Sequence, residues 1–299
     1  MAIQQEIFFK DRLFRQPQLD LIEEVVCSCP GLSRQELANT LCELLQWQRP
    51  NGKLKTWECK ELLVELEKQE RIQLPPLRRS KPLGATTGRG KIPEEEEKIL
   101  QEGLKEVGPV TVRRVEDPDE YPLWRGLLNH YHYRGYRTPF GAQLRYFVEV
   151  SGPAKRKVAC LQFSSPAWKM AVRDRWIGWD EEGHRRNLQR IVNLSRFLIF
   201  PWIQIGNLAS HILAKVAKLL PEEWEKAYGI HPWLLETLVD AAYAGTCYKA
   251  ANWTFLGWTQ GRGRMDRDHQ CPSSPKQVFV YPLGREARQA LRNSGSIEL

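Results

Sequence analysis

The sequence predicts an α+β protein, an N-terminal winged helix-turn-helix followed by a larger mixed α/β domain. Three observations predict it. The first 75 residues hold three apolar-faced helical runs and then a short β-prone run. A Pro- and Gly-rich basic stretch follows, the composition of a linker. Between Arg196 and Trp258 an apolar run, a small-residue turn, an amphipathic run and a second apolar run succeed one another, the order of a strand–helix–strand crossover in a parallel sheet.

In the first domain, residues 1–75, the helix from Pro17 to Cys29 places Leu19, Ile22, Val25 and Val26 on one face, and Pro30-Gly31 stops it. Ser33-Arg-Gln-Glu36 is a capping box that opens the second helix, with Leu37, Leu41, Leu44 and Leu45 inward. Asn51-Gly52 is a turn, and the third helix runs from about Leu54 to Gln69 on Leu62, Leu63 and Leu66. Arg71 to Leu74 reads as the strand of a wing. In that layout the third helix enters the major groove, so Lys53, Lys55, Thr56 and Lys60, with Trp57, are expected at its leading end against duplex DNA.

Residues 76–108 are expected to form a basic linker and a connecting helix. From Arg71 to Lys91 there are six cations and no acid, among them Arg78, Arg79, Arg89 and Lys91. Such an arm can lie along phosphates or in a minor groove. Four acids, Glu94 to Glu97, suit the first turn of a helix running to about Val107.

The large domain, residues 109–299, opens with a strand at Val110–Val115 and a helix at Tyr121–Tyr133. A hairpin of Leu144–Val150 and Lys157–Phe163 turns at Gly152-Pro153. The segment Ser165–Asn193 holds Arg173-Asp174-Arg175 and a basic helix with Arg185. Phe197–Ile205 reads as a buried strand, and Gly206-Asn207 opens a helix on Leu208, Ile212, Leu213, Val216, Leu219 and Leu220. Strands are expected at Trp233–Asp240, Thr254–Trp258 and Lys276–Leu283. Between the last two, Gly261-Arg262-Gly-Arg264 forms a basic loop able to approach phosphate closely.

Composition narrows the partners. A formal charge of +8 favours a polyanion. The 11 Trp are chiefly core mass, with base stacking as a second use. Seven scattered Cys, with no C-x-x-C pair, fit a reducing cytoplasm and give no zinc site. No apolar run of membrane-spanning length occurs, so a cytoplasmic protein with no membrane partner is expected.

Two resemblances rest on particular residues. Strand, small-residue turn, helix, strand, Tyr-bearing turn, strand resembles the core of the GNAT acyltransferases. The segment Gln204-Ile-Gly-Asn207-Leu-Ala209 is similar to their pyrophosphate-cradling loop, with Asn207 at a glycine position. Tyr248-Lys-Ala-Ala-Asn252-Trp253 is similar to their general-acid segment, with Asn252 at a second glycine position. The resemblance implies an acyl-CoA held by Gln204, Asn207, Ala209 and Ser210, with Tyr248 as acid. A Cβ at each glycine position is expected to hinder close backbone approach. The second resemblance covers most of the chain. The runs Tyr131-His-Tyr-Arg-Gly-Tyr136, Arg173-Asp-Arg-Trp-Ile-Gly-Trp179, Arg196-Phe-Leu-Ile199, Asn207-Leu-Ala-Ser210 and Gly245-Thr-Cys-Tyr-Lys-Ala-Ala-Asn-Trp253 are similar to the DruA-like family. That family is named from the Druantia anti-phage defence system, and related domains occur in mobile-element proteins, so other proteins of such systems are implied as partners.

Three functions follow as expectations. The first is duplex-DNA binding through the winged helix, the linker and the Arg262–Arg264 loop. The second is acyl modification of a nucleobase flipped from its stack, with Tyr248 as acid. The third is a Mg²⁺-dependent nuclease or strand transferase built on Asp174, Glu236 and Asp240, where Glu236 and Asp240 share one face of a strand. Against the third stands ion pairing of the same carboxylates with neighbouring arginines.

Overall fold

A computed structural model describes residues 6–10, 12–29, 32–50, 54–76, 98–139, 141–152, 155–259 and 274–293. The chain divides into two compact units, a small one built mainly on residues 1–79 and a large one on 80–139, 143–263 and 269–299.

In the small unit the three expected helices form. They are α1 (Gln16–Ser28), α2 (Arg34–Leu44) and α3 (Thr56–Lys68). The capping box closes as its spacing dictates. Glu36 N–H donates to Ser33 Oγ at 3.3 Å, and Ser33 N–H donates to Glu36 Oε2 at 2.9 Å. Leu19, Ile22, Val25, Leu37, Leu41, Leu62, Leu63 and Leu66 are buried on the facing sides. Arg71–Leu74 is not a strand. The β pairing of this unit instead precedes α1, as β1 (Ile7–Phe9) against β2 (Arg12–Phe14). Phe14 anchors that hairpin edge-on to Trp47 at 5.1 Å. Arg71 is drawn instead to Glu23, 2.8 Å away. The Asn51-Gly52 turn lies outside the described residues.

The large unit is one seven-stranded mixed sheet with helices. Its strands are β3 (Val110–Arg114), β4 (Gln143–Val150), β5 (Arg156–Ser164), β6 (Ile191–Ile199), β7 (Leu234–Asp240), β8 (Thr254–Trp258) and β9 (Lys276–Pro282). They lie in the order β3-β4-β5-β6-β7-β9-β8. Every neighbouring pair is antiparallel except β6–β7, which is parallel. The helices are α4 (Glu120–Tyr131), α5 (Ala171–Ile177), α6 (Glu181–Asn187), α7 (Leu208–Tyr228), α8 (Thr246–Ala250) and α9 (Ala287–Arg292). The expected crossover is therefore present as β6, α7, β7, and it accounts for the single parallel pair.

Three boundaries differ from expectation. Residues 98–107 contain no helix. Leu100 instead bridges to Ile203, donating from its N–H to Trp202 O at 2.9 Å and accepting from Gln204 N–H at 2.8 Å. β6 starts at Ile191 rather than Phe197 and ends at Ile199, where Phe200 and Pro201 turn the chain. α7 continues through Pro221 to Tyr228. Trp224 and Tyr228 extend its buried stripe, and the Tyr228 hydroxyl bonds both backbone groups of Gln143 at 2.8 Å.

Candidate nucleic-acid interface at the fork between two strands

β6 and β7 pair over only three positions, Ile191↔Leu234 to Asn193↔Glu236. Beyond them β6 stays with β5 as far as Ile199, while β7 stays with β9 as far as Asp240. The sheet thus forks. Its cause is local. Opposite Gln162 and Phe163 of β5 stand Arg196 and Leu194, so Ser195 is one residue too many, a β-bulge. The bulge turns β6 away from β7 and re-aims Arg196. Thr237 on β7 spans the gap at its root, donating from Oγ1 to Leu194 O at 3.0 Å. The fork lies at the carboxyl ends of the two parallel strands, where open sheets hold ligands.

Arg196 is the central cation. Its Nε donates to Gly135 O at 2.8 Å and its Nη1 to Ser195 O at 2.6 Å, the carbonyl of the bulge residue itself. Its Nη2 has no acceptor among the described residues, and no carboxylate bonds it. Burial, then the neighbouring charge of Arg134, lowers its pKa to about 10, so it stays charged at neutral pH. Lys276, beside Asp240 in the β7–β9 register, also has its pKa lowered, by burial first and then by Arg134. Asp240 opposes that shift, yet among the described residues it makes no salt bridge. Its Oδ1 accepts the N–H of Ala242 at 3.2 Å, which shapes the turn carrying Tyr243.

Aromatic groups stand beside these cations. His132 stacks on Tyr133 at 4.7 Å and 23°, and Tyr133 meets Tyr243 at 5.1 Å. Tyr133 and Tyr243 remain 50% and 49% exposed. His132 Nδ1 accepts the N–H of Arg134 at 3.1 Å, which requires an unprotonated nitrogen. Consistently, burial and then Arg196 and Arg134 push its pKa down to about 4.

The two asparagines at glycine positions keep the backbone shape of a glycine turn. Asn207 and Asn252 both adopt the left-handed conformation, at φ 61° and 62°. Each asparagine supplies the backbone shape glycine would supply, so the turns form despite the Cβ. Asn207 caps α7 from that conformation, and the N–H groups of Ala209 and Ser210 have no acceptor among the described residues. Asn252 closes α8 in a Schellman motif. Trp253 N–H donates to Tyr248 O at 2.9 Å, Asn252 N–H donates to Lys249 O at 3.1 Å, and the Trp253 ring packs on Tyr248 at 5.4 Å. Tyr248 is buried, stacked on Phe279 at 5.4 Å and within hydrogen-bond reach of Thr237; burial raises its pKa. Gly245 must be glycine, since a Cβ there would lie 2.7 Å from the Phe279 ring. Gln204 is exposed, and its N–H is taken by Leu100 O.

The three carboxylates do not converge on one centre. Arg173, fully buried, donates from Nη1 to Glu236 Oε2 at 3.1 Å and from Nε to Asp174 Oδ1 at 2.9 Å. Its Nη2 makes a close ionic contact with Asp174 at 2.8 Å that is not aligned as a hydrogen bond. Asp174 Oδ2 is used by Met170 N–H. Asp240 lies four residues along β7 from Glu236, roughly 13 Å at about 3.3 Å per residue, too far to share one metal pair. Among the described residues no group of three His, Cys, Asp or Glu could hold a metal ion.

Of the expected DNA contacts, Lys55 and Thr56 stand at the start of α3 and Lys60 one turn in, with Trp57 68% exposed. Glu58, Glu61 and Glu65 share that helix, so its charge is mixed. Arg185 is exposed on α6. Lys53, Arg78, Arg79, Arg89, Lys91, Arg262 and Arg264 lie outside the described residues. Sequence reasoning missed Arg134, Tyr133, Arg196, Tyr243 and Lys276 as a set. Their one signal was that Tyr133, Arg134 and Arg196 fall in the long motifs quoted above. Elsewhere in the large unit, Arg285, Arg288 and Arg292 line an open hollow along α9, near the starts of β6 and β7. No helix of the described residues is long and apolar enough to cross a membrane.

Comparison with known proteins bears on this geometry. The family model described as Druantia protein DruA matches residues 65–271. No curated protein matches the chain. Similar solved structures include spermidine N-acetyltransferase from Vibrio cholerae in complex with CoA and spermine, at 11% identity and a TM-score of 0.39, covering 62% of this chain and 98% of that one. An N-acetyltransferase from Staphylococcus aureus is similar at 7% identity and a TM-score of 0.36, covering 59% and 99%.

Proposed function

The chain belongs to the Druantia protein DruA family, and from that membership we propose that it binds DNA as a component of anti-phage defence. One observation carries the DNA reading. Arg196, Arg134 and Lys276 gather at the mouth of the fork with a single nearby acid, and none of the three has a carboxylate in salt-bridge contact among the described residues. Burial and mutual repulsion both disfavour that gathering, and an incoming polyanion relieves it. α3 of the small unit, through Lys55, Thr56 and Lys60, adds a second contact to duplex. Its mixed charge leaves the fork as the stronger support.

The test is duplex affinity measured by fluorescence anisotropy for Arg196→Ala, Arg134→Ala and Arg288→Ala. Each removes one charge. The first two should weaken binding by about ten-fold, as loss of a charge-assisted phosphate contact does, and Arg288→Ala, on α9, should not. Equal losses in all three would reduce the effect to net charge and sink the assignment to the fork.

A second reading is favoured by the conformation of Asn207 and Asn252. With the turn shape kept and the Ala209 and Ser210 amides unbonded, the start of α7 suits the pyrophosphate of an acyl-CoA. Buried Tyr248, held protonated, would then be the proton donor. Calorimetric titration with acetyl-CoA that released no heat would remove this reading.

A further inference from the structure

We propose that Tyr133 and Tyr243 form a stacking platform for an unpaired nucleobase whose phosphate is held by Arg196, Arg134 and Lys276, so that the fork takes single-stranded or extruded nucleotides in preference to intact duplex. The proposal rests on the DNA reading above and narrows its substrate.

Three observations carry it. First, the rings form a row. His132 lies flat on Tyr133, Tyr133 leans on Tyr243, and half of each tyrosine meets solvent. A row of rings that ends in solvent offers a π-face for one more flat group. Second, the row is held in place by backbone bonds. Gly135, in the segment that carries Tyr133, receives Arg196 at 2.8 Å, and the carbonyl of Tyr243 receives Gln277 Nε2 at 2.6 Å. With the backbone fixed and the rings packed on one another, stacking has less ring freedom to remove. Third, charge and ring lie together. Tyr133 feels the charges of Arg134, Asp240 and Arg196, and Lys276 lies beside Asp240, whose turn carries Tyr243. A nucleotide presents this same pairing of a flat apolar face and an anion.

Duplex does not present it. Bases in B-form stacks have no free face, and their phosphates are available without them. Single strands and extruded nucleotides expose both at once. His132, at the end of the row away from the base, is neutral. Its Nδ1 is engaged by Arg134 N–H, so it adds no charge to compete for phosphate with the cations.

The experiment uses the full chain with a fluorescently labelled single-stranded oligonucleotide, the duplex of the same sequence, and a single strand carrying 2-aminopurine. Wild type should prefer the single strand and quench 2-aminopurine. Tyr243→Ala should lower single-strand affinity about ten-fold more than duplex affinity and abolish the quenching. Tyr243→Phe should retain both. Arg196→Ala should weaken both substrates. Tyr133→Ala is a second probe of the ring row should Tyr243→Ala prove unstable to heat. If Tyr243→Ala and Tyr133→Ala weaken both substrates equally, or neither, the platform is wrong while the DNA reading stands. If wild type binds duplex but not single strands, the platform is wrong as well. Failure to bind either form in dilute buffer would overturn the DNA reading and this proposal together.

Discussion

Left-handed backbone costs most L-residues roughly 1–2 kcal/mol, and glycine nearly nothing. Asn207 and Asn252 hold that conformation at the two turns flanking the fork, at φ 61° and 62°. Asparagine is one of the few residues that visits it, through local hydrogen bonding of a short polar side chain. The consequence is measurable. Asn252→Ala should cost about 1 kcal/mol, because alanine has a Cβ and lacks the amide. Asn252→Gly should be neutral within a few tenths of a kcal/mol, since the αL position of a Schellman motif favours glycine. Denaturant midpoints of the three proteins check this, and equal stability of the Ala and Asn forms would refute it. The residue pattern alone could not show this backbone shape. A glycine position filled by asparagine reads as a departure until the dihedral angle is known. The capping box at Ser33 was legible because all its partners lie within three residues.

Elements meet through contacts that sequence spacing hides. Asp174 between two arginines is legible as an ion-paired carboxylate, and Arg173 does bond it. That the same arginine also pairs with Glu236, 63 positions later, depends on α5 packing on the sheet so that the Arg173 side chain reaches β7. Arg173 and Glu236 are fully buried and Asp174 is part-buried, so removing Arg173 leaves Glu236 charged and unpaired in the apolar interior. Arg173→Met should destabilise the protein by about 3–5 kcal/mol, whereas Arg173→Met combined with Glu236→Leu should recover most of that loss. Chemical denaturation of the single and double variants reads this directly. An Arg173→Met protein as stable as wild type would mean that the pair carries little of the docking of α5 on the sheet. The fork shows the same limit. Alternation and apolar runs predicted the crossover of β6, α7 and β7, which is present. The extra residue Ser195 that splits the pair emerges only from the register against β5, and the apolar run by itself points to a β6 that starts several residues late. Tyr133, Arg196, Tyr243 and Lys276 come from four separate segments, and no local pattern joins them.

At the scale of the whole molecule, a net charge of +8 states only that a polyanion is favoured, not where it lies. Salt dependence separates these. Each phosphate neutralised on a duplex contributes about −0.9 to the slope of log affinity against log salt. If Arg134, Arg196 and Lys276 each meet one phosphate, replacing all three by alanine should make the slope shallower by about 2–3. A loss of general charge attraction would change affinity at low salt without removing discrete contacts. Arg285, Arg288 and Arg292, changed together, provide that comparison, because they remove the same formal charge from α9. The expected result is a shallower slope for the fork variant and a nearly wild-type slope for the α9 variant. The same slope change in both would place the interface in overall charge rather than in the fork. An unchanged slope with weaker binding in the fork variant would show that those side chains support the site through packing and never touch phosphate.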